Sequence, residues 1–212
     1  MADVVPAILE QTKEGFTEKV SLVTKISGIE RIQVDFGDGE FIADRLLQAD
    51  EMDTLNPAFH WEAHLMVRNP SDFLDYQLCG FKTLIVHYEA FASADDFRLS
   101  LSKIKSMGFR TGVAINPETK VDVLKEITAD QYLVMSVVPG KQGQSFIETT
   151  PQKVKQLREL LSHAIIEVDG GVNETNIKSL KEAGADLICV GSALVKAPDI
   201  SQAYEKLREQ IT

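Results

Sequence analysis

Two aspartates close short apolar runs that lie far apart in the chain: Asp35 in "RIQVDFG" and Asp169 in "AIIEVDGG". A third run, "WEAHLMV", carries His64. In an extended segment successive side chains point to opposite faces. Ile32, Val34 and Phe36 therefore share one face, and Gln33, Asp35 and Gly37 share the other. The same parity groups His64 with Met66, Glu167 with Asp169, and His87 with Glu89. Two carboxylates, an imidazole and the amide oxygen of Gln33 form a donor set suited to one divalent ion. Such an ion beside two carboxylates suits proton abstraction next to a carbonyl: the ion stabilises enediolate oxygens while the carboxylates exchange protons with carbon. The pattern by itself leaves plainer readings open. An inward histidine is often a hydrogen-bonded core residue, and an Asp before Gly-Gly can cap a turn. Asp38-Gly39 reads as a turn, Trp61 as structural, Met66 and Met135 as packing that can also line a pocket, and His60 and His163 as surface or capping residues.

Three glycine-rich turns follow late apolar runs: "PGKQGQ" (139–144), "DGGVNETN" (169–176) and "GSAL" (191–194). Glycine lets a backbone approach a ligand and aim N–H groups at it. Three such turns at one end of a fold point to a phosphate site.

The elements that must position these groups are legible from the alternation of runs. Eight short apolar, β-branched runs occupy 4–9, 31–36, 61–67, 83–89, 111–116, 132–138, 164–169 and 187–191. Amphipathic helical segments follow most of them. One starts after a Ser/Asp cap and stops at Gly108; one has Pro151 near its start. A third opens with Asn173 as N-cap and ends at Gly184, and "NPSDFLDYQLCG" follows the same plan. The second unit, "FIADRLLQADEMDTLNPAFH", lacks a clean helical stripe, so an irregular or short helix is expected there. Eight β-then-α units without a linker predict an α/β fold: one (β/α)8 TIM barrel domain over residues 1–212. A doubly wound open sheet is the alternative. In the barrel, alternate side chains enter the interior, and the polar members lie at the strand ends where barrel active sites form.

Size and charge narrow the partners. A formal net charge of −10 over 212 residues argues against nucleic acid, which needs clustered cations. It does not oppose a small phosphorylated substrate held by local N–H groups. No apolar run reaches the ~18 residues of a membrane span, and no basic leader precedes the first run, so a cytoplasmic protein is expected. Cys79 and Cys189 lack a CxxC pattern and read as buried thiols.

The segments "PAIL", "VDFGDGEF", "AHLMV", "VHYEA", "VAINPET", "VMSVVPGKQGQSFI", "VDGGV" and "GADLICVGSAL" together resemble the ribulose-phosphate 3-epimerase family, in order and over nearly the whole chain. The resemblance implies a ribulose-phosphate-binding barrel that interconverts D-ribulose 5-phosphate and D-xylulose 5-phosphate. It implies two aspartates as acid and base that also ligate a metal with two histidines. By position the aspartates are Asp35 and Asp169 and one histidine is His64. The second falls on Gln33, which shifts the expected ion from zinc toward magnesium or manganese; zinc, iron, manganese and magnesium all stay open. The family's strand-one serine falls on Ala7, with loss of a hydroxyl. A family methionine falls on Gly37, which is expected to open space over the reacting carbons. The sixth loop reads Val138, Lys141 and Gln142 at departures from the family pattern, Lys141 adding charge near the phosphate end. Phosphate and substrate contacts map to Ala7, Met66, Met135, Gly143, Gly170, Gly171, Gly191 and Ser192. The implied partner is a small phosphorylated ketose. A six-carbon ketose phosphate and a non-catalytic sugar-phosphate-binding barrel are the alternatives. Barrels of this type often self-associate, and no segment marks an interface.

Overall fold

The computed structural model describes residues 2–73, 80–140 and 144–212. Eight parallel strands close into a barrel in chain order: β1 (Asp3–Leu9), β2 (Arg31–Gly37), β3 (His60–Met66), β4 (Thr83–His87), β5 (Arg110–Ile115), β6 (Gln131–Met135), β7 (Ile165–Asp169) and β8 (Leu187–Val190). The helices are α1 (Lys13–Val23), α2 (Ala94–Ser106), α3 (Thr150–Leu160), α4 (Ile177–Ala183), α5 (Ser192–Val195) and α6 (Ile200–Glu209). The closed ring establishes the expected (β/α)8 architecture over the open sheet. None of the described helices is long and apolar enough to cross a membrane.

The helical layer departs from a regular barrel where the sequence lacks a stripe. After β2 a long loop carries only a 3-10 turn, Ala49–Glu51. After β5 a 3-10 turn, Val121–Leu124, stands in place of a helix. Of the helix expected after β3, residues 70–73 form a 3-10 turn; residues 74–79, Cys79 among them, lie outside the described residues. Helix α2 begins after Ser93, whose hydroxyl accepts the Asp96 N–H. Helix α4 ends at Gly184, φ 105°, a left-handed stop that glycine takes without strain. Its start corrects the sequence expectation. Asn173 caps a turn through Thr175 N–H to Asn173 Oδ1, 2.8 Å, and the helix begins at Ile177 after Asn176. The Asx turn competes successfully with helix initiation.

The outward faces of the strands pack on the helices. Ile32, Val34, Phe36 and Trp61 join Phe97, Leu101, Val154, Leu157 and Leu207 in one core. On the inward faces lie the apolar groups Ile85–Ala114–Leu133–Met135–Val137 and Val5–Ala7–Leu187–Cys189, and Met66 packs with Ile42 and Leu46 toward the mouth. A buried polar belt accompanies them. Arg31 Nη1 pairs with Glu62 Oε1. The Gln131 amide donates to Glu62 Oε1 at 2.9 Å and Glu167 Oε2 at 2.8 Å, and Cys189 Sγ lies 3.0 Å from Glu167 Oε1. Burying two carboxylates against one guanidinium is costly unless one stays neutral. Burial, reinforced by the Glu62 charge, pushes Glu167 well above the usual carboxylate range, so Glu167 keeps its proton. Cys189 is the buried free thiol expected.

His60 opens β3, with Nε2 at 2.7 Å from Thr83 Oγ1. Burial, and then the charges of Arg31, Arg110 and Lys82, lower its pKa from 6.5 to about 4. The unfolded chain therefore binds a proton between those values that the folded chain refuses, so its contribution to stability is whole above pH 6.5 and is lost as pH falls toward 4. Replacing His60 by Gln is expected to shrink the drop in melting temperature between pH 7 and pH 5, measured by calorimetry against the unsubstituted protein.

Candidate active site

Strand register brings the predicted residues together at the C-terminal mouth. Asp35 on β2 pairs with His64 on β3, and Met135 on β6 pairs with Asp169 on β7. Asp35 Oδ1 lies 2.9 Å from His64 Nδ1, and Asp169 Oδ2 lies 3.5 Å from the same nitrogen. The ligand atoms of Asp35, His64 and Asp169 all fall within 4.8 Å of one another. Gln33 sits below them, fully buried, and its amide nitrogen donates to Asp35 Oδ1 at 3.0 Å and Asp169 Oδ2 at 3.2 Å. Its Oε1 faces Cys189 Sγ at 3.3 Å. One amide thus links both carboxylates.

Burial and charge act strongly on Asp169. Burial, followed by the negative charge of Asp35, raises the pKa of Asp169 from 3.8 to about 7, where it can give or take a proton near neutrality. Burial opposes a proton on His64, yet the hydrogen bond and charge of Asp35 and the charge of Asp169 overcome it and raise its pKa.

Behind His64 stands a second imidazole that the sequence parity placed inward without a role. His87 Nε2 lies 2.9 Å from His64 Nε2. Burial holds His87 neutral, with a pKa of about 4, and its Nδ1 is 3.4 Å from Glu89 Oε2. A His87 proton on Nδ1, facing Glu89, leaves Nε2 to accept from His64. The His64 nitrogen toward the carboxylates, which holds a proton toward Asp35, would bind an ion on giving that proton up, with a second imidazole behind the ligating one. Glu89 corrects an expectation: strand β4 stops at His87, and Glu89 lies in the following 3-10 turn. One carboxylate oxygen faces His87, and the other accepts from Asn116 N–H at 2.7 Å and from Thr119 Oγ1. Lys153 of α3 donates to the carbonyls of Asn116 and Pro117, tying that loop to the outer layer.

A cavity at the mouth is lined by Asp35, Asp169, Ala7, Met66, Met135, Gly170, Gly171, Gly191 and Ser192. Every predicted contact residue that is described therefore meets one space; Gly143, Lys141 and Gln142 lie outside the described residues. Leu9, Val137, Gly140, Val172 and Cys189 also line it. Gly170 and Gly171 have φ of 119° and 64°, and the Gly171 carbonyl is held by the side-chain amides of Asn173 and Asn176. The turn Asp38-Gly39 is as expected: Asp38 Oδ1 accepts from Glu40 and Phe41 N–H, each 2.8 Å, and Oδ2 from Arg68 N–H.

Gly37 does not open the site. A Cβ there would lie 2.4 Å from Ile42 Cδ1 and 2.8 Å from the Asp44 carbonyl oxygen. The loop after β2 folds back and fills the space, so the room expected at this position for a longer ketose is absent. Ile42 escapes sequence reading because it belongs to an irregular loop without periodicity. Glu62 and Gln131 carried a usable signal, since each shares the inward parity of a strand that bears a site residue, His64 or Met135.

Residues 3–195 match the sequence profile of the ribulose-phosphate 3 epimerase family. The chain is 33% identical to the ribulose-phosphate 3-epimerase of Synechocystis sp., over 97% of this chain and 92% of that protein. It is also 33% identical to the chloroplastic ribulose-5-phosphate-3-epimerase of Arabidopsis thaliana, over 97% of this chain and 75% of the other. In fold it is similar to the crystal structure of 3-hexulose-6-phosphate synthase from Salmonella typhimurium, with a TM-score of 0.71, 18% identity and coverage of 99% and 98%.

The Gly170 conformation is one that L side chains rarely adopt, and a Cβ there would fall 2.5 Å from Val137 Cγ2 and 2.9 Å from Val137 N. Gly170→Ala is expected to cost about 1–3 kcal/mol of unfolding free energy, read from the midpoint of a urea titration.

Proposed function

Because the chain belongs to the ribulose-phosphate 3-epimerase family, we propose that it is an isomerase that interconverts D-ribulose 5-phosphate and D-xylulose 5-phosphate by inverting C3 between Asp35 and Asp169. The observation that carries this reading is the pair of carboxylates from β2 and β7, joined through one amide and facing a cavity edged by glycine-rich turns. The C3 proton is acidic because the enediolate left behind spreads its charge onto the C2 oxygen. One aspartate takes that proton; the other delivers a proton to the opposite face. The raised pKa of Asp169 suits it to hold the proton to be delivered. Gly170, Gly171, Gly191 and Ser192 cradle the phosphate, with Ser192 opening α5.

Asp35, His64 and Asp169 fit a divalent ion in donor type and spacing. When bound, the ion would offset the negative charge of the enediolate. Gln33 joins this set only if its amide turns over, presenting Oε1 upward and its nitrogen to Cys189. Two carboxylates, one imidazole and an amide oxygen would favour magnesium or manganese over zinc. His87 and Glu89 hold the His64 ring in the orientation the ion needs.

Incubation with ribulose 5-phosphate in deuterated water is expected to yield xylulose 5-phosphate with deuterium at C3. Asp35→Asn and Asp169→Asn are each expected to lower kcat by ~10²–10⁴-fold without unfolding the barrel; absence of turnover and of exchange with every divalent ion tried would refute the reading. His87→Gln is expected to weaken divalent-ion affinity by about 10–100-fold, measured by titration calorimetry and by elemental analysis of the purified protein.

A further inference from the structure

The mouth of the barrel is bridged by a contact between loops that follow opposite strands. β2 and β6 stand across the ring from each other. Ile42 from the loop after β2 reaches the Pro139-Gly140 segment after β6. A Cβ built on Gly140 would lie 2.9 Å from Ile42 Cβ and 3.2 Å from its Cγ2. The same side chain occupies the space that a side chain on Gly37, two residues beyond Asp35 on the same face of β2, would take. Ile42 is buried, and it packs with Leu46 and Met66, with Leu9 and Phe41 against them. Leu9, Met66 and Gly140 are also walls of the cavity that holds both aspartates. Asp35 itself is only 7% exposed. The loop is fixed at its root by Asp38, whose carboxylate gathers three backbone N–H groups.

An apolar residue held between two glycines, over a carboxylate that must handle a proton, has a chemical use. We propose that Ile42 is a positioning residue for the epimerisation: the roof that keeps bulk water from Asp35 during the lifetime of the enediolate. Ile42 occupies space that side chains on Gly37 and Gly140 would need. This rests on the acid/base reading of Asp35 above. In that step the C3–H bond breaks, its electron pair enters the enediolate, and the proton moves to the Asp35 carboxylate. A sealed Asp35 returns that same proton when the intermediate reverts. An unsealed one exchanges it with water first, and the reverted ketose carries a solvent hydrogen. Excluding water also prevents leakage of reactive intermediates in general.

The test follows conversion in deuterated water from each of the two ketoses, comparing deuterium at C3 of unconverted substrate with product formed at low conversion. For Ile42→Ala the ratio is expected to rise severalfold for the epimer whose C3 proton faces Asp35, with kcat lowered and KM little changed. Ile42→Val, which keeps the branched cover, is expected to stay close to the unsubstituted ratio. Melting temperature and circular dichroism verify that both variants are folded. If Ile42→Ala does not fold, Ile42→Val and Ile42→Leu are compared in its place, and the ratio is expected to rise with the loss of fit. A folded series with an unchanged exchange-to-inversion ratio, whether or not kcat falls, overturns the roof. Absence of both exchange and inversion in the unsubstituted protein would instead refute the acid/base assignment, so the two failures are distinguishable.

Discussion

Two negative charges must be held close together in a place from which water is largely excluded, and the rest of the barrel is arranged around that constraint. Asp35 and Asp169 come from strands separated in the ring by β8 and β1, yet a single Gln33 amide spans both. In a medium of low polarity, adjacent carboxylates repel strongly unless one is protonated or a cation or hydrogen-bond donor lies between them. The site offers each remedy: the proton drawn to Asp169, the imidazole of His64 between the two acids, the two amide hydrogens of Gln33, and a donor set ready for a divalent ion.

The same problem recurs one layer down and is solved differently. Glu62 and Glu167 are as buried as any residue in the chain, but they serve no ligand. A guanidinium, an amide, a thiol and a retained proton satisfy most of their hydrogen-bonding capacity. Cys189 touches both layers, through Glu167 and Gln33. Cys189 has one S–H to share between Glu167 and the Gln33 amide oxygen, which ties the orientation of Gln33 to the lower belt. The layer that holds Asp35, His64 and Asp169 thus rests on a polar floor.

Much of this was legible in the sequence because it depends on parity and order. Period-two alternation placed Gln33, Asp35, His64, Met66, His87, Glu167 and Asp169 inward, and the succession of eight runs gave the closed ring. The resemblance to the epimerase family added roles to positions that parity had already grouped. What escaped was set by contacts that no local rule encodes. Glu89 lies past the end of its strand, where one carboxylate oxygen meets the Asn116 N–H and the Thr119 hydroxyl while the other stays toward His87. Asn173 made a turn in place of a helix start. Gly37 suggested open space, since a missing side chain says nothing about which distant residue will fill it; Ile42, five positions on in an aperiodic loop, does. Gln33 revealed its type to the sequence but not which end of its amide points up.

Glu89 also braces one side of the barrel mouth. Its carboxylate connects the turn after β4 to the loop after β5, and Lys153 fastens that loop to α3 with two further hydrogen bonds. Hydrogen bonds to charged groups are among the stronger links inside a protein. The contact of Ile42 with Gly140 across the ring is apolar, and dispersion contacts are each worth only a fraction of such a bond. The His64–His87 pair stands at the ends of β3 and β4 beside the brace, so the alignment of the two imidazoles draws on the loop after β5 and on α3 as well as on their own strands.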